Sequence, residues 1–184
     1  MTPHTFVVTV EDEPGVLNRV ASLFRRRNYN IESLTVGRTE QSGISRMTIV
    51  VDTTPDAALR IQANLYKLVH VLRVENVTEM PTVYRHLALI KVAATSESRS
   101  QVMQLVDVFR ARVVDVAPDS LIIEITGADE KFDGLLEILR PFGVLEVAKT
   151  GCLAMSRGLP GKGANGNGPT TGADAIDANV SFSV

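Results

Sequence analysis

Apolar and polar positions along the first 80 residues alternate between two periods. Residues 5–10, with Phe6, Val7, Val8 and Val10, form a β-rich run that Glu11-Asp12-Glu13-Pro14-Gly15 breaks. Beyond the break, Leu17, Val20, Ala21 and Phe24 recur at i, i+3, i+4 and i+7, the single apolar stripe of an amphipathic helix. Asn18, Arg19, Ser22 and the triplet Arg25-Arg26-Arg27 fall on its other side. Pro14 is expected in the first turn of this helix, where its missing N–H would have had no intrahelical partner. A second β-like run covers residues 31–37, the polar stretch 39–43 predicts a turn, and residues 45–51 read as the strand it enters. After Pro55, the positions Ala58, Ile61, Leu65 and Leu68 mark a second helix, and residues 71–77 close the set as a strand. The order is βαββαβ.

The same order then recurs. Residues 87–93 read as a strand, and Val102, Leu105, Val106 and Phe109 form another i, i+3, i+4, i+7 stripe. Residues 113–116 and 121–126 are two strands joined by Ala117-Pro118-Asp119-Ser120, a type I turn with Pro at its second position. Phe132, Leu135, Leu136 and Leu139 stripe a fourth helix that should end near Pro141 and Gly143, and residues 144–148 form the last strand. Two units are therefore predicted, 4–78 and 84–158, joined near 79–84, where Pro81 interrupts any continuous element. Each should build a four-stranded antiparallel sheet with two helices on one face, so the fold class is α+β with two tandem ferredoxin-like βαββαβ units. From about 159 to 184 the chain is rich in Gly, Asn, Thr and Pro. That composition buries too little apolar surface to fold alone and predicts a flexible tail. The closing Val180-Ser181-Phe182-Ser183-Val184 is a candidate docking segment with no target indicated.

Composition narrows the classes. The 184 residues are 45% hydrophobic and 22% charged, ordinary for globular domains, and two small units of this kind should lean on a partner or on a second copy. A formal net charge of −2 gives no global reason to bind nucleic acid or an anionic membrane. The start, MTPHTFVVTV, has neither a basic n-region nor a long apolar run, so no secretion signal is expected. No window approaches the roughly 20 apolar residues of a membrane span. The single cysteine, Cys152, fits a reducing compartment. A soluble, cytoplasmic protein is expected.

Candidate catalytic chemistry is sparse. Gly161-Lys162-Gly163-Ala164-Asn165-Gly166 matches a dinucleotide-binding pattern, but it neither follows a strand nor opens a helix, so it reads as an accident of glycine-rich composition. His4, His70 and His86 have no metal-ligand spacing, and Cys152 lies in an apolar stretch where a small buried hydrophobe is expected. Carboxylates are spread over helix faces and turns rather than paired. RNA-recognition modules share the βαββαβ order but stack bases on strand aromatics, and Ser45-Arg46-Met47-Thr48-Ile49-Val50-Val51 has none. The chain is expected to be neither a catalyst by itself nor a nucleic-acid binder, and to hold no metal or cofactor.

The segment with most to say is Val10-Glu11-Asp12-Glu13-Pro14-Gly15-Val16-Leu17. Gly15 leaves the backbone open to close approach, and N–H groups at Gly15, Val16 and Leu17 would point out of a helix N-terminus that favours an anion. Asp12 could accept hydrogen bonds from an ammonium group, so one loop offers partners for both ends of an amino-acid zwitterion. Taken alone, the loop also reads as a cap and a turn of a kind routine among helices.

The wider sequence adds a resemblance. The first unit resembles an ACT domain, a small-molecule-sensing module, and residues 4–158 resemble the small regulatory subunits of acetolactate synthase (acetohydroxyacid synthase). The resemblance rests on Glu13-Pro14-Gly15-Val16-Leu17-Asn18-Arg19-Val20, on Tyr29-Asn30-Ile31-Glu32-Ser33-Leu34-Thr35-Val36, and on Ser45-Arg46-Met47-Thr48-Ile49. Further matches are Lys67-Leu68-Val69, Val71-Leu72-Arg73-Val74, Phe109-Arg110-Ala111, Val114-Asp115-Val116 and Glu146-Val147-Ala148, continuing through Ser156-Arg157-Gly158. What it implies is a homodimer of ACT domains paired edge to edge, with valine at the interface. One wall would be the backbone at Gly15, Val16 and Leu17 with the side chain of Asp12, and the other Asn30 and Ile31 of a second copy. The implied partner is a catalytic large subunit of branched-chain amino acid biosynthesis, which this chain would activate and make sensitive to valine. Thiamine diphosphate, magnesium and FAD would be held there and not here. An ACT-type sensor for a different enzyme is the alternative.

Overall fold

The structure, a computed structural model, describes residues 1–158. The expected tail, with its glycine-rich pattern and closing apolar segment, lies outside the described residues.

Alternation along the central strand organises the first unit. In β1 (Thr2–Glu11), Phe6, Val8 and Val10 point to one face and are buried there, while Val7 points to the other. Two helices cover the first face: α1 (Val16–Arg26) with Val16, Val20 and Phe24, and α2 (Pro55–Leu65) with Ala58, Ile61 and Leu65. β2 (Ser33–Arg38), β3 (Ile44–Thr53) and β4 (Val71–Asn76) complete an antiparallel sheet in the order β2-β3-β1-β4. Its register runs from Thr2 opposite Thr53 to Glu11 opposite Ile44, and Met47, Ile49 and Val51 of β3 therefore share the core face with Phe6, Val8 and Val10.

The second unit repeats the arrangement with β5 (Thr82–Ala93), α3 (Arg99–Val108), β6 (Arg112–Val116), β7 (Ser120–Gly127), α4 (Asp129–Leu139) and β8 (Val144–Lys149), in sheet order β6-β7-β5-β8. Its separate core gathers Ile90, Val92, Val102, Val106, Leu121, Ile123, Leu135 and Leu139. The α+β class and the two ferredoxin-like units expected from the pattern are what the chain builds.

Several boundaries differ from expectation, each for a physical reason. Pro14 is not in the first turn of α1: Gly15, at φ +85°, is the N-cap, and its left-handed backbone turns the chain so that the helix opens at Val16. β2 begins at Ser33, so Ile31 precedes the strand, and Leu68 packs on the core from beyond the end of α2. The stretch 79–84 is only partly a connection, because β5 starts at Thr82, immediately after Pro81. A further strand, β9 (Leu153–Ser156), pairs with Thr82–Arg85 and was not expected at all.

β9 and the start of β5 rest on the face of the first sheet that carries no helices. Val7 and Val77 of the first unit are buried with Ala154, and Tyr84 packs on them. Hydrogen bonds cross the same seam: Cys152 N–H donates to Ser33 Oγ at 2.7 Å, the Arg46 guanidinium donates to the Ala154 carbonyl at 2.5 Å, and Tyr84 Oη and Thr82 Oγ1 donate to Val77 O at 3.2 and 3.4 Å. Thr48, on the face away from the helices, is buried in consequence.

Candidate functional site

The β1–α1 loop is held from two directions. Asp12 N–H donates to Gly43 O at 2.8 Å, which docks the loop on the β2–β3 turn, and Glu11 N–H donates to His70 O at 2.9 Å, which ties it to the α2–β4 connection. The His70 ring also meets the Glu11 carboxylate. Gly15 is then presented at an exposed corner where a Cβ would meet nothing within 4 Å. Val16 N–H reaches Glu13 O at 3.3 Å and is spoken for. Among the described residues, the N–H groups of Leu17 and Asn18 have no acceptor, so the positive end of α1 faces solvent with donors to spare.

Asp12 sits differently from the simple expectation of a free acceptor. Its Oδ2 takes Arg38 Nε at 3.1 Å and its Oδ1 takes Ser45 Oγ at 3.1 Å. The carboxylate is thereby oriented and its charge partly offset by a neighbouring guanidinium, while each oxygen keeps further lone-pair capacity. The sequence marks Ser45 as the start of a strand and part of a motif, and it does not mark Arg38 at all. They lie opposite each other beside the β2–β3 turn, a pairing that no local signal in the sequence announces.

Asn30 and Ile31 are at the other end of the sheet. Ser33 pairs with Val50, which pairs with Thr5, and Asp12, just past the end of β1, lies seven positions beyond Thr5. At about 3.4 Å per residue the two groups are separated by roughly 24 Å within one chain. Asn30 is exposed, with Nδ2 donating to Glu32 Oε1 at 2.5 Å, and Ile31 is half-buried against the first core. The structure therefore brings Asp12, Gly15, Val16 and Leu17 together and leaves Asn30 and Ile31 apart from them, beside the edge strand β2. Val16 itself points inward and is buried, so its side chain is not available at the corner.

The matching loop of the second unit is closed. Thr95 and Ser98 satisfy each other's backbone and hydroxyl groups, with Thr95 N–H to Ser98 Oγ at 3.0 Å and Ser98 N–H to Thr95 Oγ1 at 3.3 Å. Arg99 fills the corner, donating to Ala117 O and Pro118 O at 2.7 Å each. No glycine opens that loop, so only the first unit offers an exposed corner of this kind.

The other chemical candidates are structural. His4 is buried near Thr2 and Thr78, and Cys152 is buried at the seam. Burial, with the Asp129 carboxylate nearby, pushes the Cys152 thiol up from its ordinary value. A raised value means less thiolate at neutral pH. Cys152 should therefore react with a disulfide reagent about tenfold or more slowly in the native chain than in the urea-unfolded chain at the same pH. Equal rates would place the thiol at the surface. Among the described residues no group of three or more His, Cys, Asp or Glu side chains could hold a metal ion, and no helix is long and apolar enough to cross a membrane. A cleft of about 860 Å³ lies between the units, lined by Glu32, Ser33, His86, Asp129, Lys149 and Cys152 among others, away from the Gly15 corner.

Two βαββαβ units with helices on one face of each sheet define the class as an α+β protein of tandem ferredoxin-like units, and comparison with known proteins gives the family. Residues 6–73 match the AHAS small subunit-like ACT domain, and residues 85–158 match the family described as small subunit of acetolactate synthase. The chain is 50% identical to the acetolactate synthase small subunit of Mycolicibacterium smegmatis over 88% of its own length and 95% of that protein. It is 48% identical to a probable acetolactate synthase small subunit of Archaeoglobus fulgidus, over 84% of this chain and 97% of that one. The crystal structure of the acetolactate synthase small subunit from Thermotoga maritima superimposes with a TM-score of 0.80 at 39% identity, covering 86% of this chain and 99% of that one. The chain belongs to the acetolactate synthase small-subunit family.

Proposed function

We propose that this chain is a regulatory subunit of acetolactate synthase that raises the activity of a catalytic large subunit and confers feedback inhibition by valine. The observation that carries the reading is the Gly15 corner, which exposes the Leu17 and Asn18 N–H groups on the unit matching the ACT family. A carboxylate suits those donors and the helix dipole. Asn30 of a second copy supplies hydrogen-bonding capacity for the ammonium end, and Ile31 an apolar wall for a branched side chain. The wide separation of the two groups within one chain fits a site completed between two copies paired through β2, an edge strand of the first sheet. Such pairing extends an otherwise open sheet edge.

Valine inhibits only insofar as it binds one arrangement of the complex more tightly than another, typically worth ~1–3 kcal/mol of coupling. Thiamine diphosphate, magnesium and FAD belong to the catalytic partner in this reading, and the complex works in the cytoplasm on the path to valine, leucine and isoleucine. The test is acetolactate formation by the same organism's large subunit, with and without this chain, across a valine titration. Activation by the chain, with inhibition by valine only in its presence, is the expected result. No change in either removes the reading and leaves an ACT-type sensor for a different enzyme.

A further inference from the structure

The seam between the two units crosses the strand that leads out of the Asn30–Ile31 segment. Ser33, two residues beyond Ile31, accepts the Cys152 N–H at 2.7 Å. Gly151 lies so close to β2 that a Cβ there would stand 2.7 Å from Leu34 O and 2.4 Å from Thr35 Oγ1. The first of these is backbone and cannot swing away. Gly151 is thus needed for close approach rather than for an unusual φ. One strand further in, Arg46 spans the seam to Ala154 O. These are contacts between residues more than a hundred positions apart, and two of the segments involved, Leu34-Thr35 and Ser45-Arg46-Met47-Thr48, lie in stretches that carry the family resemblance.

Thr35 adds a second observation. Its Oγ1 is buried at this seam and has no hydrogen-bond partner. A buried hydroxyl left unpaired carries a desolvation penalty, so any small shift of β2 against residues 151–154 that gives it a partner is favoured to that extent. The seam is closely packed at Gly151 and contains one group that another arrangement would satisfy.

We propose that Gly151 and Arg46 are positioning residues for the effector response: they lock β2 to the 151–154 segment, so that a ligand ordering the Asn30–Ile31 segment also orders the second unit. The inference rests on the valine-site reading above. Ligand contact at Asn30 and Ile31 restrains the entry to β2, and Ser33, Leu34 and Thr35 pass that restraint to Cys152 and Gly151 through their close contacts. Arg46 carries it to β9, which is itself paired with the start of β5. Coupling of this kind needs a demonstrated response at both ends, not adjacency alone.

Amide hydrogen exchange of the full-length chain, with and without saturating valine, gives that readout. Valine is expected to slow exchange in residues 12–18 and 30–36, and also in residues 150–156, by about fivefold or more at each, the lower end of ordinary allosteric coupling. In Gly151→Ala the protection at 12–18 and 30–36 should persist while that at 150–156 falls to less than half. Arg46→Gln removes the bond to Ala154 without adding bulk, and it should show the same separation if the alanine variant fails to fold. Protection at 12–18 and 30–36 with none at 150–156 in the unmodified chain overturns the inference and leaves the valine site standing. Protection nowhere overturns the valine site itself. Undiminished protection at 150–156 in both variants also overturns the inference, because the restraint then travels by another route.

Discussion

Phe6→Ala is expected to lower the stability of the first unit by about 3–5 kcal/mol, the cost of truncating a fully buried aromatic to a methyl in a packed core. Phe6 is 0% exposed, lies on the central strand and belongs to the cluster holding Phe24, Ile49 and Ile61. Both neighbouring strands clasp it, with Ile49 of β3 on one side and Asn76 of β4 on the other. The surrounding sheet has little freedom to collapse into the space. A small domain has only about 5–15 kcal/mol in total, so the loss removes a large part of it. Urea unfolding followed by circular dichroism should show an earlier transition for the first unit, with the second unit's separate core shifted less. Equal shifts in both would mean that the seam makes the two cores unfold as one. No shift would contradict the packing of β1.

Gly15→Ala tests function where Phe6→Ala tests the fold. The left-handed backbone at φ +85° makes any side chain there cost about 1–2 kcal/mol. Among the described residues nothing lies within 4 Å of the added methyl, so no steric clash there adds to that cost. The methyl therefore acts mainly on whatever approaches the corner from outside. Displacing a carboxylate from the Leu17 and Asn18 N–H groups loses charge-assisted hydrogen bonds worth about 1.5–3 kcal/mol each. The half-inhibiting valine concentration should rise about tenfold or more, with activation of the large subunit kept. Gly158→Ala is the control, since Gly158 has φ +77° and, among the described residues, nothing within 4 Å of an added Cβ. It should leave the valine response unchanged. Equal sensitivity in both variants would trace the effect to general strain and remove the Gly15 corner from the effector site.

Much of this protein was legible without coordinates because its elements are amphipathic and short. The stripe Leu17, Val20, Ala21, Phe24 located α1, although Val16 and not Leu17 is its buried first-turn residue, and the stripe Phe132, Leu135, Leu136, Leu139 located α4, since a helix packed on one face of a sheet must repeat near 3.6. The Gly15 loop was visible as a strand-to-helix junction with a glycine in it. Its orientation was not, because Arg38 and Ser45 reach Asp12 across strands that are paired only in three dimensions.

By itself, then, the sequence determined the two βαββαβ units, most core positions of each and the family they belong to, all of which rest on local period and on contiguous motifs. The tertiary structure alone decided how the units meet. β9 has four residues, too few for a period to declare itself, and it exists because Thr82–Arg85 offers a pairing edge. Gly151 gave no turn signal, since what it requires is not a backbone angle but the nearness of Leu34, more than a hundred residues away. Contacts at that separation leave no trace in local periodicity, because they are set by which faces remain uncovered once each unit has folded.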